Sequence, residues 1–144
     1  MMRRNRTANE APRLVLCQYC NRPAELQNQD DKSLYGGRNF GPIWVCKPCQ
    51  AWVGCHPRTT IPLGTLADKQ LRAARIAAHA AFDPVWQRRQ VLKKTTKNES
   101  RDAAYKWLAQ RLGINESRCH IALFDLETCA QVIVICEPYN RIGI

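Results

Sequence analysis

Two hydrophobic rhythms divide the chain. Between Leu14 and Cys55 the apolar residues fall in short runs of strand length, Leu14 to Leu16, Ala24 to Gln27, Ile43 to Val45 and Ala51 to Cys55, with Gly36, Gly37, Gly41 and Pro42 punctuating the connection. After Pro62 and Gly64 the spacing changes to three and four, which predicts helix, with Thr65 as N-cap and Asp68 in the first turn. Leu71, Ala78, Phe82 and Val85 then share one side, and Lys69, Arg72, Arg75 and His79 form a second, polar stripe. Asp83 before Pro84 predicts a break, Asp83 capping a new segment that carries Trp86, Arg88 and Arg89.

The polar run VLKKTTKNES reads as an exposed linker, and Ser100 as the cap of a helix RDAAYKWLAQRLG that Gly113 ends. A helix followed by Gly113 has the form of the first half of a helix-turn-helix, a form shared by many helical corners. In CHIALFDLETCAQVIVIC, Asp125 as N-cap and the spacing of Leu126, Cys129 and Ile133 favour helix over strand. The expectation is an α+β protein in which a small N-terminal ribbon of short β-hairpins packs with a mainly helical C-terminal region. Its divisions are a flexible basic arm at 1–12, the ribbon at 13–60, a helical segment at 61–94, a linker at 95–100 and a C-terminal helical region at 101–144.

The cysteines name the ribbon's chemistry. Cys17 and Cys20 in CQYC and Cys46 and Cys49 in CKPC form two Cys-x-x-Cys pairs, each able to turn two sulfurs toward one ion, so together they complete a closed tetrahedral shell for one structural zinc. If Ala51 to His56 is extended, Ala51, Val53 and Cys55 share one face and Trp52, Gly54 and His56 the other. That places Cys55 in the core and His56 at the surface, with Cys55 as an alternative ligand if the strand bends at Gly54. Cys119, Cys129 and Cys136 read as core thiols; a second metal site with His120, or one shared by His79 and Asp83, lacks a supporting pair of ligands. A tetrathiolate shell leaves no position for water, so the metal supports structure and not hydrolysis.

Composition adds the partner. The 144 residues include 22 Lys and Arg against 12 Asp and Glu, a formal charge of +10. A zinc held by four thiolates carries a net −2 and leaves +8, still a surplus that favours polyanions. No apolar stretch reaches membrane-span or signal-peptide length, which points to a cytoplasmic protein with reduced thiols, no membrane and no small-molecule substrate.

The motifs CQYC, YGG, GPIWVCKPCQAWVGCH, PLGTLA, AAHAAFDPVW, AYKWLA and CHIALFD, spread from Cys17 to Cys136, resemble the zinc-finger-containing domain proteins found in phages and prophages. The resemblance implies one zinc on Cys17, Cys20, Cys46 and Cys49 and a phage or bacterial cytosolic setting, and it implies no reaction. The start before Pro12 and the KKTTKNES run look like local elaborations of that family.

The leading expectation is a non-enzymatic protein that binds nucleic acid, DNA or RNA, or a nucleic-acid-handling complex. Arg72, Arg75, Arg88, Arg89, Lys93 and Lys94 are its expected phosphate contacts and Trp86 a stacking partner. The alternative is a phage-encoded inhibitor that binds host machinery, a protein or ribonucleoprotein complex, in the manner of a counter-defence factor. An enzyme is disfavoured because His56, His79 and His120 are dispersed and no paired carboxylates, phosphate loop or Ser-His-Asp pattern accompanies them.

Overall fold

Ile43–Cys46 is apolar at all four positions, and it becomes the middle strand of a three-stranded antiparallel sheet in the computed structural model, which describes residues 13–27 and 41–141. Strand β1 is Glu25–Gln27, β2 is Ile43–Cys46 and β3 is Ala51–Gly54, in the spatial order β1-β2-β3. Register is fixed by Leu26 opposite Trp44, Trp44 opposite Val53 and Cys46 opposite Ala51. All four residues of β2 are buried, whereas β3 alternates, burying Ala51 and Val53. A one-residue slip would turn that whole apolar set outward, which pins the pairing. The expected basic arm at 1–12 and the punctuation by Gly36 and Gly37 lie outside the described residues.

The stretch after β3 departs from the sequence expectation. Thr65 does not cap a helix. Pro62 bridges Cys55 and Ala67 bridges Trp52, the latter by reciprocal backbone hydrogen bonds of 3.0 and 3.1 Å, so residues 62–67 run as an irregular extra edge along β3. Helix begins only at Lys69, once this edge pairing has ended. The chain divides into two compact units, one up to Lys69 and one from Gln70. In the first, Cys17, Trp44, Cys46, Ala51, Val53, Cys55 and Leu66 form the core.

The second unit holds three helices: α1 (Lys69–Lys93), α2 (Lys97–Leu112) and α3 (Leu126–Arg141), with two 3-10 turns at Glu116–Arg118 and Ile121–Leu123 between the last two. The break expected at Asp83 and Pro84 does not occur. α1 runs through Pro84, and the Asp83 carboxylate accepts a 2.9 Å hydrogen bond from the Trp86 indole instead of capping a new segment. The face that α1 buries is Leu71, Arg75, Ala78, Phe82 and Trp86, not the set with Val85.

The linker is also shorter than the expected 95–100. Thr96 caps α2 by accepting from the Glu99 N–H at 3.2 Å, and Ser100, the expected cap, is buried one turn inside the helix against the Thr95 hydroxyl. Thr96 wins because Glu99 stands three residues on, the spacing of a capping box. At the other end Gly113 adopts φ 71°, the left-handed conformation that lets its N–H and that of Ile114 close the last carbonyls. Asp125 caps α3 as expected, accepting from Thr128 at 2.8 Å. The buried stripe of α3 is Cys129, Val132 and Cys136, while Leu126 and Ile133 are partly exposed. Phe82 of α1 packs on Tyr105 of α2 with ring centroids 4.5 Å apart, and Asn140 of α3 donates to the Ala81 carbonyl of α1 at 2.9 Å.

Candidate metal centre

Each Cys-x-x-Cys turn is closed by its own backbone. In the first, Cys17 N–H donates to the Arg22 carbonyl at 2.9 Å and Asn21 N–H to the Cys17 carbonyl at 2.8 Å; in the second, Gln50 N–H donates to Lys47 at 3.1 Å. The residue after the second cysteine of each pair takes a positive φ, Asn21 at 58° and Gln50 at 51°. This left-handed step reverses the chain so that both sulfurs of a pair point the same way. Asn is a familiar occupant of such a position and was a usable signal; Gln50 carried none.

The two turns bring Cys17, Cys20, Cys46 and Cys49 together, with all four sulfurs within 4.8 Å of one another. Cys20 and Cys46, one from each turn, have sulfurs 3.7 Å apart. A tetrahedral zinc with Zn–S bonds near 2.3 Å separates its sulfurs by about 3.8 Å, so the donor set fits the ion in type, number and spacing. Cys17 and Cys46 are buried, and Cys20 and Cys49 partly so.

The protonation of Cys20, Cys46 and Cys49 reflects their surroundings. Cys20 is lowered to about 7, first by the Arg22 N–H that points at its sulfur. Cys49 is pushed up to about 12 by burial and then by the neighbouring sulfurs. Cys46 is held down by the Cys49 N–H, but burial and the sulfurs of Cys20 and Cys17 carry it above the usual thiol value. Four anionic sulfurs at this spacing need a cation among them.

Cys55 sits in the core on the Ala51 and Val53 face, its thiol raised by burial, and His56 is exposed. Neither joins the cluster, as strand alternation predicts. Among the described residues this is the one group of three or more potential ligands close enough to share an ion. Cys119, Cys129 and Cys136 are each fully buried, and burial raises their thiols, Cys119 and Cys136 to about 11.

The family comparison agrees with this centre. A model of a zinc-finger-containing domain matches residues 13–139. The chain belongs to that family. No curated protein and no solved structure matches it. Cys17, Cys20, Cys46 and Cys49 thus constitute the site of one structural zinc ion.

The expected phosphate contacts are scattered by the fold. Arg75 is a correction: it lies on the buried face of α1, and its Nε donates to the Phe124 carbonyl at 3.1 Å. Trp86 is likewise buried rather than open to a base, with the Lys97 ammonium 5.6 Å above its ring. Arg89, Lys93 and Lys94 are exposed at the C-terminal end of α1, with Arg88 half-buried beside them. Arg72, also half-buried, stands on the same helix about 30 Å away along its axis. Lys97, which opens α2, joins the cationic group and was read in the sequence only as part of a linker.

Proposed function

We propose that this is a non-enzymatic binding protein whose zinc-stapled unit is structural and whose cationic surface takes nucleic acid, DNA or RNA, or a complex that handles it. The observation that carries this reading is the stretch from Pro84 to Asn98, which contains Arg88, Arg89, Lys93, Lys94 and Lys97 and no acidic residue. Phosphates along a strand are the commonest partner for such a row, because each neutralised phosphate releases a condensed counterion. With Arg75 removed to the core, the contact set is Arg88, Arg89, Lys93, Lys94 and Lys97, with Arg72 at the far end of α1. A bacterial cytoplasmic setting of the phage or prophage kind accompanies this reading.

The test is anisotropy of a labelled generic oligonucleotide, duplex and single-stranded, across a salt series. Affinity is expected to fall linearly on a double-logarithmic plot. Reversing Arg88 and Arg89 to Glu is expected to weaken all sequences alike and to reduce the duplex slope by about 2. Absence of binding at low salt would overturn the reading.

A second reading, a protein-binding inhibitor of host machinery, draws on a different observation. Ile76, Val91 and Leu92 on α1 are 70%, 76% and 66% exposed, and phosphates give such side chains nothing to contact. Binding that survives nuclease treatment of the partner would favour it.

A further inference from the structure

Three motifs that the metal centre leaves unused, AAHAAFDPVW, AYKWLA and CHIALFD, meet in the helical unit ring against ring. The ring centroids of Phe82 in α1 and Tyr105 in α2 are 4.5 Å apart, and those of Tyr105 and His120, just ahead of the second 3-10 turn, are 5.5 Å apart. Burial falls along this pile, from Phe82 in the core through half-buried Tyr105 to exposed His120. Its middle ring is fixed in place, because Arg101 and the backbone N–H of Ile121 both hydrogen-bond the Tyr105 hydroxyl. Lys97, Arg101 and Tyr105 stand four residues apart, about 6 Å per step along the axis, and the contacts of Lys97 with Trp86 and of Tyr105 with Phe82 turn this row toward α1. Lys97 is exposed and Arg101 half-buried. Asp83, the acid at this margin of α1, accepts from the Trp86 indole at 2.9 Å and lies 4.0 Å from His79.

The row and the pile together favour one occupant. A duplex brings phosphates to Lys97 and Arg101 but keeps its bases stacked on one another, so an exposed ring gains nothing from it. An acidic peptide meets the cations and leaves the ring bare. An unpaired nucleotide supplies both a phosphate for the cations and a flat face for the imidazole. We infer that the pile of Phe82, Tyr105 and His120 is a stacking platform for an unpaired base of single-stranded nucleic acid, whose backbone phosphates meet Arg101 and Lys97. This platform rests on the nucleic-acid reading and deepens it: Arg101, Tyr105 and His120 join the contact set, and single strands are set apart from duplex. The stacking role that the sequence suggested for Trp86 falls to His120, the ring of the pile that the fold leaves at the surface.

The experiment measures anisotropy of three labelled probes of equal length with the zinc-loaded full chain at low salt: an oligothymidylate strand, the same backbone without bases, and a duplex. Wild type is expected to bind the base-bearing strand about tenfold more tightly than the abasic one, which carries the same phosphates. His120→Ala is expected to lose that advantage while binding the abasic strand and the duplex as before, and His120→Phe, which keeps a ring, to restore it. Arg101→Gln is expected to weaken base-bearing and abasic strands alike. His120 is exposed, so unchanged helix and zinc content in His120→Ala show that the fold survives. Equal binding of the two strands by wild type overturns the platform and leaves the nucleic-acid reading standing, as does a His120→Ala variant that keeps the advantage or a His120→Phe variant that lacks it. Displacement of the strand by an equal concentration of thymidine monophosphate overturns the strand as occupant. Failure to bind any of the three probes overturns the platform and the nucleic-acid reading together.

Discussion

Arg75, 9% exposed, lies on the buried face of α1, where its Nε donates to the carbonyl of Phe124 ahead of α3. Truncating it leaves that carbonyl short of a charged donor, and Arg75→Ala is expected to destabilise the protein by about 2–3 kcal/mol in denaturant unfolding. The same substitution is expected to leave the salt slope of nucleic-acid binding unchanged, unlike reversal of Arg88 and Arg89. Sequence spacing already held the clue: Arg75 is four residues from Leu71 and three from Ala78, on the period of the buried stripe, and only its charge pointed outward. Cys55 and His56 were legible for the converse reason. In an extended strand the alternation leaves each position one face, and β3 buries Ala51, Val53 and Cys55 in turn.

Among the elements, the strands and the ends of the last two helices obeyed local rules, and α1 did not. Pro84 sits fifteen residues into α1 and supplies no N–H to the Ala80 carbonyl, yet the helix continues because Phe82 and Trp86 on either side are buried on one face. Tertiary burial outweighed the local preference. Pro84→Ala restores the missing hydrogen bond at the cost of a freer unfolded chain, and is expected to stabilise by about 1–2 kcal/mol. A rise in the thermal midpoint measures it; a fall would mean that the proline ring itself fills a needed contact. At α3 the opposite substitution applies. Asp125 accepts from Thr128, which holds its carboxyl below the ordinary aspartate value, and Asp125→Ala is expected to cost about 1 kcal/mol. Because that pKa is depressed on folding, the contribution is present above the unfolded value and fades as pH falls through the folded one, so wild type and variant should converge in acid. Thr65, by contrast, was misread as a cap because the pairing of residues 62–67 with β3 is long-range and leaves no local mark.

At the scale of the whole molecule, the described residues comprise a ribbon unit whose core is seven residues, six small or medium side chains around Trp44, and a helical unit with Arg88, Arg89, Lys93, Lys94 and Lys97 at the junction of its first two helices. Among the described residues no helix is long and apolar enough to cross a membrane. A ribbon of this size gains its security from metal, since zinc bound only by the folded state adds its binding free energy to folding. Zinc must also displace the protons that Cys46 and Cys49 hold at neutral pH, so apparent affinity is expected to weaken as pH falls through about 7, where Cys20 too gains its proton. The ligands were the most legible part of the chain, because two Cys-x-x-Cys pairs leave few alternatives. The centre itself is tested most directly by native mass spectrometry of protein purified without chelator. One zinc per chain is expected in the wild type and none in the Cys17→Ser, Cys46→Ser double variant. A wild-type chain without metal, or a double variant that keeps its zinc, would contradict the tetrathiolate site.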